Sequence, residues 1–170
     1  MHLFGLLLLI ALLISVVVQD FKYRGVTWWI YPLLLLASAL YSLNYLTWKD
    51  LLTNTFFNIG FITFQLVLLT LYFSVKNKRI VWVTKGYLGM GDILFFLIMA
   101  FLFSPGNYII FYIASLFIVL IFSLFIKSFL KGNIPLAGMQ AGVLVLIIII
   151  SEGCGCVRLS GEMPFYQILN

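Results

Sequence analysis

Charged residues are scarce in this chain. They make up 9% of its 170 residues, whereas hydrophobic types make up 64%, and a soluble domain is about one quarter charged. This scarcity excludes a water-soluble domain and predicts a single integral membrane domain over residues 1–170, surrounded by the lipid bilayer. The net charge of +5 lies in short loops between apolar segments, so it predicts membrane topology and not nucleic-acid binding.

Histidine and cysteine are nearly absent as well. His2 is the only histidine, and the two cysteines, Cys154 and Cys156, follow the last apolar segment. No Ser-His or Cys-His arrangement is therefore available for hydrolysis by a serine or cysteine nucleophile. Because the chain has no CxxC pair and no second histidine, we expect neither a metal site nor a cofactor.

The apolar residues are grouped into six segments of about 17–22 residues, the length that a bilayer demands of a spanning helix. This pattern predicts an all-α, polytopic membrane bundle of about six transmembrane helices, with a tight turn at Pro105-Gly106 between the fourth and the fifth. The segments cover about residues 3–19, 27–46, 55–75, 88–104, 107–126 and 134–151.

The basic residues predict how the bundle is oriented. The segments after the first, third and fifth spans hold eight of them, whereas the opposite side holds only Lys49 and Arg158. Because positive charge is retained on the cytoplasmic side, we expect the first, third and fifth loops to be cytoplasmic and both termini to be non-cytoplasmic. The eight residues are Lys22, Arg24, Lys76, Lys78, Arg79, Lys85, Lys127 and Lys131.

Two acidic residues border apolar segments at the same predicted face. Asp20 follows the first segment, at the start of the first loop, and Asp92 heads the fourth segment within Gly89-Met90-Gly91-Asp92. A carboxylate in such a place is costly, because lipid offers it neither water nor a counter-ion, and it usually has a function. The remaining acids belong to the other face: Asp50, Glu152 and Glu162.

A pair of neighbouring carboxylates can do hydrolytic chemistry. Both cannot ionise easily, so one keeps a proton, and the pair can act as base and acid on a water held between them. Gly89 and Gly91 lack a Cβ, which would let an extended peptide approach Asp92 closely. Two simpler interpretations remain open: Asp92 as a helix cap, and Asp20 as an interfacial partner of nearby basic side chains.

At these residues the chain resembles the type IV prepilin peptidases, which are aspartic GxGD membrane proteases. The resemblance rests on Gly89-Met90-Gly91-Asp92, on the acid of Asp20-Phe-Lys-Tyr-Arg24, and on Ile134-Pro135-Leu-Ala-Gly138 at the head of the last span. It implies that Asp20 and Asp92 are catalytic and that Gly89, Met90 and Gly91 support the motif and the substrate. The substrates would be prepilin-like or pseudopilin-like precursors, whose basic leader peptides are cleaved at the cytoplasmic face of the plasma (inner) membrane.

The chain departs from the usual family pattern in three places. Val26-Thr27-Trp28 stands where Ile-Pro-Asn often follows the first acid, and Leu94 stands where a lysine often follows the second. The cytoplasmic loop with two CxxC pairs, found in the large bacterial members, is missing. The resemblance therefore does not extend to the N-methylating activity of those members.

The main alternative is a non-enzymatic membrane protein, such as a small transporter or an assembly factor. In such a protein, Asp20 and Asp92 would bind a cation or carry protons. The two hypotheses differ in what each acid must do, because a protease needs both carboxylates whereas a carrier can keep partial function with one.

Overall fold

The computed structural model describes residues 2–80, 88–126, 135–154 and 159. Every regular element in these ranges is an α-helix, which confirms the predicted all-α class. The helices are α1 His2–Tyr23, α2 Ile30–Ser42, α3 Trp48–Asn77, α4 Met90–Met99, α5 Pro105–Ile126 and α6 Leu136–Cys154. Several residues singled out in the sequence lie outside the described ranges: Lys85, Lys127, Lys131, Ile134, Cys156, Arg158 and Glu162.

The six helices differ in their ability to cross a bilayer. Three stretches are long and apolar enough to do so: Leu3–Tyr23, Trp48–Asn77 and Pro105–Phe125. The apolar stretches of the other three helices are shorter, at 10–17 residues. The arrangement confirms a helical membrane bundle, although α2 and α4 are shorter than the segments 27–46 and 88–104 predicted for them.

The early end of α4 has a visible cause in the neighbouring helix. The side chain of Asn58, buried in α3, donates hydrogen bonds to the carbonyl oxygens of Ala100 at 3.0 Å and Phe103 at 2.8 Å. These carbonyls belong to the turn that follows α4, where they have left the helical ladder. A buried amide thus satisfies backbone groups that would otherwise be unpaired in an apolar interior.

Two predicted boundaries are wrong by a few residues. Asp20 lies inside the last turn of α1, which continues to Tyr23, and does not start a loop. Pro105 begins α5 instead of forming the turn before it, because proline suits the first helical position, where its missing N–H would be unpaired anyway. The turn itself occupies residues 100–103.

Helix α1 lies between α2 and α6 and packs along both. Its Leu9, Leu13 and Val16 are fully buried, and Leu144 and Ile148 of α6 are buried with them. The spacing of three and four residues along α1 keeps these side chains on one face of the helix. Helix α4 contacts α2, α3 and α6, while α5 packs against α3 and α6.

Successive helices run in opposite directions, so the bundle has two distinct ends. One end, called here the site end, holds Asp20 near the end of α1 and Asp92 at the start of α4. At the opposite end, Tyr41 near the end of α2 donates a hydrogen bond of 2.7 Å to Glu152 near the end of α6. Asp50 lies in the first turn of α3 at that opposite end, as the sequence predicts.

Candidate active site

Asp20 continues the buried face of α1. It follows Val16 by four residues, as Val16 follows Leu13 by three, so the helix directs its side chain inward with the apolar ones. The residue is 7% exposed, and its Oδ2 accepts a hydrogen bond from the backbone N–H of Gly138 at 2.6 Å. The buried carboxylate is thus held by α6.

Asp92 lies in the first turn of α4. Gly89 is the N-cap, in an extended conformation with φ −67° and ψ 142°, and its carbonyl accepts from the Asp92 N–H at 3.1 Å. The Asp92 Oδ1 accepts a hydrogen bond of 3.0 Å from the backbone N–H of Ala137. Gly89, and not Asp92, is therefore the N-cap residue of α4. The Asp92 carboxylate lies beside Gly89 and also binds a different helix.

The first turn of α6 receives both carboxylates. Ala137 and Gly138 are consecutive residues near the start of this helix, where the first four backbone N–H groups have no partner within the helix. The positive end of the helix dipole favours anions at this place. Because adjacent amides bind Asp20 and Asp92, the two side chains are neighbours, although 72 positions separate them in the sequence.

A cavity of about 800 Å³ opens beside the two carboxylates. Its walls come from the site ends of five helices and the segments next to them. The lining includes Asp20 and Asp92, the backbone of residues 88–91, the Tyr31 side chain of α2, and apolar residues of α5. A volume of this size is within the range of about 300–1,000 Å³ that is usual for ligand sites.

Sequence comparison identifies the family of this chain. The sequence model of the type IV leader peptidase family matches residues 7–124, which is more than half of the chain. The chain belongs to the type IV leader peptidase family. The matched region contains both aspartates, whereas Ala137 and Gly138 lie beyond it. No curated protein and no solved structure matches the chain.

In this member of the family, the glycines before Asp92 are closely surrounded by neighbouring side chains. A Cβ on Gly91 would lie 2.6 Å from the hydroxyl oxygen of Tyr31, and one on Gly89 would lie 3.0 Å from the Asp92 Oδ2. From the sequence, a methyl group at either glycine is expected to obstruct the substrate. The structure shows that at Gly91 it would first meet Tyr31.

The sequence alone does not reveal two contributors to the site. One is the pair of α6 amides. The only sequence signal for them is weak: a proline at the start of a helix followed by a glycine, which within a helix often marks a close approach of another group. A Cβ on Gly138 would indeed lie 2.9 Å from the Asp20 Cβ. The other is Tyr31, whose position beside the motif no local pattern reveals.

The site has few groups that could hold a metal ion. Within the part of the chain that the structure describes, no three histidine, cysteine, aspartate or glutamate residues form a cluster suited to one. Asp20 and Asp92 are the acidic side chains of the described ranges that line the cavity, and backbone amides of α6 bind both. Arg24 also lines the cavity, where its positive charge acts on Asp20, as expected if Asp20 is a partner of nearby basic side chains.

Proposed function

We propose that this membrane protein is an aspartic endopeptidase that cleaves leader peptides from prepilin-like or pseudopilin-like precursors. The observation that carries the proposal is the attachment of Asp20 and Asp92 to consecutive amides at the start of α6, beside one cavity. Membership of the type IV leader peptidase family supports this substrate class, and the paired carboxylates support this chemistry.

The first chemical step adds water to the scissile carbonyl. One carboxylate of the dyad is ionised and takes a proton from the water as its oxygen bonds to the carbonyl carbon. The carbonyl π electrons move to the carbonyl oxygen, which takes the proton of the other carboxylic acid. The product is a neutral gem-diol, and the two aspartates have exchanged protonation states.

The second step breaks the carbon–nitrogen bond. The newly protonated carboxylic acid gives its proton to the leaving nitrogen, while a hydroxyl of the gem-diol gives its proton to the other carboxylate. A carboxylic acid and an amine are released, and the dyad returns to its starting state with one proton. No metal or cofactor takes part in these steps.

The substrate would bind as an extended segment beside the start of α4. Gly89, Met90 and Gly91 line the cavity, and the extended Gly89 offers a place where a peptide strand can pair with main-chain groups. Such pairing would satisfy the backbone of a peptide that has been unwound within the membrane.

The site end is proposed to be the cytoplasmic face of the plasma membrane. Lys22 and Arg24 follow Asp20, and Lys76, Lys78 and Arg79 surround the end of α3 at the same end of the bundle. Positive charge of this density is typical of cytoplasmic loops. A leader peptide that stays in the cytoplasm would therefore reach the dyad directly.

The test is cleavage by the full chain, purified and placed in lipid nanodiscs. The substrate is a precursor with a short basic leader followed by an apolar helix, and mass spectrometry identifies the bond that is cut. We expect a single cut that removes the leader. Asp20→Asn and Asp92→Asn should each abolish it without unfolding the protein, because each removes one half of the acid–base pair.

Asp50→Asn is the matched control, since Asp50 is a carboxylate at the opposite end of the bundle. It should cleave at the wild-type rate. The proposal fails if the wild-type protein leaves the precursor intact, or if either dyad variant keeps substantial activity. Retention of partial function by one variant is the behaviour expected of a cation or proton carrier.

A further inference from the structure

Tyr31 is a buried polar side chain that the mechanism above does not use. It lies in the first turn of α2 and is 6% exposed. Its hydroxyl has no hydrogen-bond partner among the described residues. Buried hydroxyl groups are nearly always paired, so one that is left unpaired beside an active site calls for an explanation.

Tyr31 lies beside the proposed site of reaction, because it lines the same cavity as Asp20 and Asp92. Its hydroxyl oxygen is itself buried. It also lies against Gly91, as the 2.6 Å separation from an added Cβ shows. A donor is thus available where a peptide carbonyl would meet the dyad.

Other buried tyrosines in the bundle have their hydroxyls paired. Tyr108 donates to the carbonyl oxygen of Phe96 at 3.0 Å, and Tyr41 donates to Glu152 at 2.7 Å. Tyr31 therefore differs from them in having a free donor beside the cavity. Since donation to a carbonyl oxygen is already the arrangement at Tyr108, a substrate carbonyl is a suitable partner for Tyr31.

We propose that Tyr31 is a further catalytic residue, whose hydroxyl donates a hydrogen bond to the scissile carbonyl oxygen as negative charge develops on it. This inference rests on the proposed function. The phenol keeps its proton throughout: the water still loses its proton to one aspartate, and the carbonyl oxygen still receives its proton from the other. Tyr31 binds the second lone pair of that oxygen, so it stabilises the transition state more than the uncharged peptide.

The experiment is steady-state kinetics of Tyr31→Phe in lipid nanodiscs, with the same basic-leader precursor. Loss of one such donor should lower kcat about 10²- to 10³-fold. KM should stay within about threefold of the wild-type value, because the interaction forms mainly in the transition state. The melting temperature should not fall, since the hydroxyl has no partner to lose among the described residues.

Tyr41→Phe is the matched control on the same helix. It also removes one buried hydroxyl, but at the opposite end of the bundle, where that hydroxyl binds Glu152. We expect the reverse pattern: a lower melting temperature and an unchanged kcat. Opposite effects of the two variants on kcat and on melting temperature would separate a contribution to catalysis from a contribution to folding.

The pH profile distinguishes catalysis from an effect on the aspartates. If Tyr31 acts on the carbonyl oxygen, the profile of Tyr31→Phe keeps its shape while the rate falls at every pH. A displaced profile would mean that Tyr31 tunes the dyad, and it would overturn the inference. A kcat within about threefold of wild type would overturn it too. With either of these two results, cleavage by the wild-type protein would still support the proposed function. If the wild-type protein has no activity, the proposed function and the role of Tyr31 both fail.

Discussion

Gly91 and Tyr31 form a close pair between α4 and α2, and this contact changes the meaning of the second glycine of the motif. With a methyl at position 91, the clash is with the tyrosine oxygen at 2.6 Å, whereas the next ring atom, Cζ, is 3.8 Å away. Removal of the oxygen alone would leave ordinary van der Waals contact. Gly91 thus makes room for the hydroxyl of Tyr31.

This pairing predicts a non-additive double-mutant cycle. Gly91→Ala alone should lower kcat by about a hundredfold or more, because displaced catalytic groups lose that much per ångström. When Gly91→Ala is added to Tyr31→Phe, the further loss should be less than about threefold, since the two changes act on one contact. The measurement is kcat for the four proteins. A large further loss would instead mean that the methyl obstructs the substrate.

Gly138 is a second glycine whose missing side chain leaves room for a group of the site, in this case Asp20. A Cβ there would lie 2.9 Å from the Asp20 Cβ and 3.0 Å from its Oδ2, so Gly138→Ala should push Asp20 away from the α6 amide. We expect turnover to fall by about a hundredfold or more. Cleavage rate and melting temperature are measured together.

Gly142→Ala provides the comparison on the same helix. A Cβ at this position would meet only Val17 Cγ2, at 4.0 Å, so it fits without displacement. The variant should keep full activity and gain about 0.5–1 kcal/mol in the free energy of unfolding, because alanine is the better helix former. Equal activity of the two alanine variants would contradict the assigned role of Gly138.

At the level of single residues, the sequence predicts Asp20 and Asp92 but not their surroundings. An acid next to an apolar segment is conspicuous, because its burial is costly. The Gly138 amide and the Tyr31 hydroxyl are not, because an amide occurs at nearly every residue and tyrosine is common near membrane interfaces. Only the packing of α6 and α2 against the two acids distinguishes them.

At the level of helices, the apolar pattern predicts the number of elements better than their ends. Within the described ranges, six helices correspond to the six apolar segments, but only three of them contain a stretch long and apolar enough to cross a bilayer. The end of α4 could not be predicted, since residues 100–104 are as apolar as a helix requires. The chain turns there because Asn58, from another helix, supplies the hydrogen bonds that the turn lacks.

The Asn58 contact predicts a loss of stability at this junction. Asn58→Ala leaves the buried carbonyls of Ala100 and Phe103 without this donor, which should cost about 1–3 kcal/mol in the free energy of unfolding. Asn44→Ala is the control, because Asn44 is exposed and, within the described residues, its side chain bonds only to carbonyls of the preceding helix α2. Denaturation in detergent measures both. A similar loss for the two variants would contradict the role given to Asn58.

At the level of the whole molecule, the direction of the bundle in the membrane follows from its charges. Within the described ranges, five basic residues lie at the site end and one, Lys49, at the opposite end, so the site end should be cytoplasmic. A topology reporter fused after Arg79 should read cytoplasmic, and one fused after Asp50 should read external. The opposite readings would place the dyad on the wrong side for a cytoplasmic leader.

The central claim is that Asp20 and Asp92 work as one unit that shares a single proton. If both are protonated, the unit has no base to activate water, and if both are ionised, it has no acid for the carbonyl oxygen. The most direct test is the pH dependence of kcat/KM for leader cleavage by the wild-type protein, limited to the range in which its melting temperature is constant. We predict a bell-shaped profile that falls on both sides. A rate that stays flat from acid to strongly alkaline pH would contradict the dyad.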